Sequence, residues 1–101
     1  MYEILICTFG RFALLEQFIK TIRAKCDHKI RIAEDSGRYT EANVAALRSL
    51  GNVEFYQMPH DVGIGCKRNY LLSKVETPYF ILTDEDHLLI HPDGFQPMLD
   101  A

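Results

Sequence analysis

Four short apolar runs alternate with three stretches of helical periodicity along this chain, and that alternation restricts the fold more than any other feature. Tyr2 to Thr8 is nearly continuous in apolar residues after Glu3, the pattern of a strand covered on both faces. After the turn Phe9-Gly10-Arg11, the residues Leu14, Leu15, Phe18, Ile19 and Ile22 recur at helical spacing opposite Glu16, Gln17, Lys20 and Arg23. That predicts an amphipathic helix over 12–25. Lys29 to Asp35 alternates apolar and polar residues, which predicts a second strand ending in Glu34-Asp35. A helix is expected over 40–50, with Thr40 and Asn43 as a partial cap and Gly51-Asn52 as its stop. Val53 to Met58 reads as a third strand, and Asp61 is the expected cap of a helix that starts near Gly63. Tyr79 to Thr83 is the fourth strand, introduced by Thr77-Pro78.

Strands separated by helices demand crossover connections, and therefore a parallel sheet under helices on both faces. The expected fold class is α/β, a Rossmann-like three-layer sandwich with a mostly parallel sheet. Right-handed crossovers give the order 3-2-1-4, which reverses direction between the first strand and the fourth. Ligands of such sheets sit beyond the carboxyl ends of the strands at that reversal. Three polar tips would meet there: Thr8-Phe9-Gly10-Arg11, Glu34-Asp35 and Asp84-Glu85-Asp86. In extended chain Asp84 and Asp86 face the same side. Two carboxylates roughly 7 Å apart repel by about 2 to 3 kcal/mol at an effective dielectric near 20, and a bound cation reverses the sign. Such hard oxygen ligands suit magnesium, manganese or calcium.

Composition closes off several alternatives. With 101 residues and 48% hydrophobic content, one modest core and a single domain are expected. A formal net charge of -3, with Lys67-Arg68 as the adjacent basic pair, gives no footprint for nucleic acid. Cys7, Cys26 and Cys66 are too few and too scattered for a disulfide framework or a zinc ribbon. No apolar run approaches a membrane span and no signal peptide opens the chain, so a cytoplasmic location is the expectation.

Gly63-Ile64-Gly65-Cys66-Lys67-Arg68-Asn69 brings glycines into a helix start, where backbone amides can meet an anion. It satisfies neither the dinucleotide fingerprint nor the Walker loop. Lys67 and Arg68 are poorly placed for the helix dipole, so either an anionic partner offsets the cost or the pair is simply exposed. Cys66 is expected to pack rather than react.

Four segments taken together resemble glycosyltransferase family 2. Ile6-Cys7-Thr8-Phe9-Gly10-Arg11 is similar to its opening Pro-Thr-Tyr-Asn-Arg, and Ile32-Ala33-Glu34-Asp35-Ser36-Gly37 to its Val-Asp-Asp-Gly-Ser. Val62 to Asn69 resembles Val-Gly-x-x-x-Ala-Arg-Asn, and Tyr79 to Leu89 the strand that delivers the Asp-x-Asp (DXD) motif. The resemblance implies the A-type glycosyltransferase fold. It implies a nucleotide-diphosphate sugar (a UDP- or GDP-sugar) in the crevice, a divalent metal (Mn2+ or Mg2+) on the diphosphate, and transfer to a saccharide or lipid acceptor. By the same resemblance Asp35 would contact the base or ribose, and Thr8 and Phe9 would line the nucleoside pocket, with Arg11 and Gly63 beside the nucleotide. Arg68 would support the acids or the diphosphate. Asp84 would lie near ribose and metal, and Asp86 would be the direct metal ligand.

Cys7, Phe9-Gly10 and Ser36-Gly37 depart from the family pattern. The chain ends at Ala101, inside what resembles the helix after the metal motif. Residues 1–101 are therefore expected to form a nucleotide-sugar-binding half-domain without the family's acceptor half, and no catalytic base is assigned. The rival expectation is a non-catalytic module that keeps the fold and assembles, as a homo-oligomer, through its exposed apolar surface.

Overall fold

The computed structural model describes residues 2–84. Its elements run β1 (Tyr2–Thr8), α1 (Phe12–Arg23), β2 (Ile30–Glu34), α2 (Glu41–Arg48), β3 (Val53–Gln57), α3 (Ile64–Lys74) and β4 (Tyr79–Asp84). The four strands form one sheet in the order β3-β2-β1-β4, and every pairing is parallel. The expected order and class are both met, and the elements fall within a few residues of their predicted bounds.

Side-chain alternation along the strands divides the core in two. Ile4, Ile6, Ile30, Ile32, Val53 and Ile81 point to one face, where they pack on Leu15, Phe18, Ile19 and Ile22 of α1 and Leu47 of α2. Leu5, Cys7 and Ala33 point to the other and meet Leu71 of α3. The result is three layers, with the central strand β1 buried along its whole length.

Two local details go beyond what the spacing showed. Both faces of β2 are covered, and Arg31 is buried against Glu3. Burial alone would raise the Glu3 carboxyl, but the Arg31 guanidinium and the Glu76 amide outweigh it and hold it below the usual carboxylate range. Glu3 also accepts the Thr77 amide, so this pair pins the connection from α3 to β4 under the sheet. Thr40 and Asn43, in turn, make a complete capping box at α2, each side chain taking the other's amide proton.

Candidate functional site

Parallel pairing brings the strand tips to one end of the sheet. Thr8 stands in register with Glu34 of β2, and Cys7 with Asp84 of β4. Two of the three polar tips are thus neighbours across β1 and β2, with the end of β4 on the opposite flank of β1. Asp86 lies outside the described residues.

The turn after β1 is tight and left-handed: Gly10 has φ 74° and Arg11, the residue before α1, φ 56°. Thr8 Oγ1 and Tyr39 Oη both donate to the Gly10 carbonyl, and the Gly10 amide donates to Glu34 Oε2. Glu34 is completely buried and also accepts the amides of Ser36 and Gly37 and the Gln57 side chain. Desolvation would raise its carboxyl, but the donors from Ser36, Gly37 and Gly10 prevail and hold it low. Glu34 therefore builds the two turns rather than facing a ligand.

Asp35 is 1% exposed. Its Oδ1 accepts from Lys67 Nζ at 2.7 Å and its Oδ2 from the Gly63 amide at 3.1 Å. Burial opposes ionisation here too, but the Lys67 ammonium outweighs it and keeps the carboxyl below its ordinary range. Gly63, at φ 90°, is the N-cap of α3 and no side chain caps the helix, so Asp61 does not play the role predicted for it; Asp35, just past β2, instead anchors the Gly63 amide. Lys67 also donates to the Thr8 carbonyl at 3.1 Å. One lysine on the first turn of α3 thus ties together the ends of β1 and β2.

Of the two outcomes open for the basic pair, Lys67 takes the anionic partner, Asp35, and is buried with it. The signal was its position: it stands where the Val-Gly-x-x-x-Ala-Arg-Asn pattern has a small residue, and a lysine there needs an internal carboxylate. Arg68 is exposed and lines a small cavity of about 60 Å³ with Cys7, Leu82 and Thr83, close to the end of β4. Cys66, expected to pack, is exposed.

Phe9 projects from this platform, 39% exposed. The Arg38 guanidinium and the Lys67 ammonium lie 5.8 Å and 5.9 Å from its ring centre, within cation–π range. The His60 ring stands 6.0 Å away, its Nδ1 3.2 Å from the Ser36 carbonyl. Arg38 and His60 join the site from loops that carried no motif. Among the described residues no group of three His, Cys, Asp or Glu side chains could hold a metal. Glu34 and Asp35 are both buried and spent on internal donors, so neither is open to a cation.

A parallel sheet of order β3-β2-β1-β4, with helices on both faces and a reversal between β1 and β4, defines a Rossmann-like class of α/β protein. The sequence model of Glycosyl transferase family 2 matches residues 3–101, and the chain belongs to that family. No curated protein sequence matches the chain. Among solved structures it is similar to S. aureus TarS 1-349, with a TM-score of 0.79 and 17% identity over 98% of this chain and 31% of that one. It is also similar to the mannosyltransferase PcManGT from Pyrobaculum calidifontis in complex with GDP-Man and Mn2+. There the TM-score is 0.76, with 15% identity over 91% of this chain and 29% of that one. At such identities the likeness establishes the fold. The chain spans about a third of the length of either structure. No helix among the described residues is long and apolar enough to cross a membrane.

Proposed function

We propose that this chain forms the donor-binding part of a glycosyltransferase, holding a nucleotide-diphosphate sugar, a UDP- or GDP-sugar, for transfer to a saccharide or lipid acceptor. The observation that carries this reading is the register placing Thr8 beside Glu34 and Cys7 beside Asp84, at the reversal of the sheet. Phe9 and Arg11 form the nucleoside wall, and Thr8, 1% exposed with its hydroxyl on the Gly10 carbonyl, backs the turn that carries them. Asp35 supports that wall through its grip on Lys67 and Gly63, and the α3 entry with Arg68 faces the diphosphate. Asp84 and Asp86 hold Mn2+ or Mg2+, which when bound screens the diphosphate charge. The GDP-Man and Mn2+ in the PcManGT complex are consistent with both ligands.

Calorimetric titration with UDP and GDP, with and without Mn2+, tests this reading. Metal-dependent binding that Asp86→Ala abolishes is the expected result, and no binding in any combination rejects it. A second reading is favoured by one observation: Tyr79, Phe80 and Leu82 of β4 are 63%, 44% and 37% exposed. A non-catalytic module would cover them with a second copy of the chain. Light scattering that gives a dimer, together with silent nucleotide titrations, would select it.

A further inference from the structure

We propose that Arg38 reads the base at this site and that the base is guanine rather than uracil. This rests on the nucleotide-sugar reading above and narrows it. The argument comes from which polar groups remain open around Phe9. Four acceptor groups under Phe9 are engaged: the Thr8 carbonyl by Lys67, the Gly10 carbonyl by Thr8 and Tyr39, and the carboxylates of Glu34 and Asp35 by the donors named earlier. Lys67 in particular turns Asp35 inward, leaving it 1% exposed.

The uracil edge alternates acceptor, donor, acceptor, and its N3 proton requires an acceptor from the protein. The carboxylates of Glu34 and Asp35 are shut away. What faces outward is a donor. Arg38 is exposed, lies across the turn with its Nη1 3.9 Å from where a Gly10 Cβ would stand, and has its guanidinium 5.8 Å from the Phe9 ring centre. Among the described residues that guanidinium makes no hydrogen bond or ion pair to a carboxylate or carbonyl. A guanidinium fork matches two adjacent acceptors, which guanine presents at O6 and N7. Adenine offers N7 beside an amino donor, which repels the fork. Cytosine has adjacent acceptors at O2 and N3, but its single ring covers less of Phe9 than a purine does.

The test is calorimetry on the chain with Mn2+ present, using GDP, UDP, ADP and CDP, repeated with Arg38→Met. That substitution keeps the length of an exposed side chain and removes its donors. The expected result is GDP as the tightest ligand, roughly ten- to a hundredfold above UDP, with the preference collapsing in Arg38→Met while UDP changes little. UDP, ADP or CDP binding as tightly as GDP overturns the base assignment and leaves the nucleotide-sugar reading standing. Equal weakening of GDP and UDP in Arg38→Met assigns Arg38 to the diphosphate and overturns it too. If none of the four nucleotides binds, both the base assignment and the underlying reading fall.

Discussion

The Lys67 ammonium and the Asp35 carboxylate meet 2.7 Å apart under the crevice, both almost fully buried, although they are 32 positions apart in the chain. Removing two charges from water costs several kcal/mol per ion, so the pair is retained only where geometry and further hydrogen bonds compensate. Here the Thr8 carbonyl and the Gly63 amide supply them. The consequence is a rigid junction of β1, β2 and α3 directly below Phe9.

That junction should behave as a coupled unit. Lys67→Met leaves a buried carboxylate without its cation and should cost about 3 to 5 kcal/mol of stability. Asp35→Asn should also destabilise, while the double variant should be less damaged than the two singles together by about 2 kcal/mol. Urea unfolding of the four proteins closes the cycle, and additive losses would mean that the pair is not coupled.

Acid should weaken the fold through the same groups. Glu3, Glu34 and Asp35 all have carboxyls held below their ordinary values in the folded chain. For a depressed pKa the stability contribution is complete above the unfolded value, and it is lost as pH falls through the folded one. Thermal melting should therefore be flat near neutrality and fall below about pH 4. Glu34→Gln should be less stable at neutral pH, with a shallower decline in acid. An unchanged slope would show that the Glu34 carboxyl titrates alike in the folded and unfolded chain, contrary to its depressed pKa.

The capping box at α2 gives a smaller and more local effect. Thr40→Ala removes the acceptor for the Asn43 amide and should cost about 1 kcal/mol in urea unfolding. Nucleotide affinity should not change, because Thr40 lies beyond the Phe9 cluster. A loss of affinity in this variant would place the ligand over α2 instead.

Much of the architecture was legible because apolar spacing reports directly on burial. The alternation of apolar runs with helical stripes was enough for the parallel order, and the polar ends of β1, β2 and β4 marked the crevice. Charge was harder to read. Lys67 was open to either an anionic partner or exposure, and spacing could not decide, because its anion Asp35 lies far along the chain, as Glu3 does from Arg31. Glu34 and Asp35 promised an open acidic tip for the same reason. Arg38 and His60 sit in loops, where no periodicity marks a functional side chain.

The central claim is that a metal-bound nucleotide sits over the ends of β1, β2 and β4. NMR of the isotopically labelled chain with a nucleoside diphosphate tests it most directly, by replacing Mg2+ with paramagnetic Mn2+ and mapping which amides broaden. The account predicts nucleotide-dependent broadening centred on Thr8, Phe9, Gly63 and Asp84, with the α2 amides from Glu41 to Arg48 spared. Broadening centred on α2 and β3, or none that depends on the nucleotide, would contradict it.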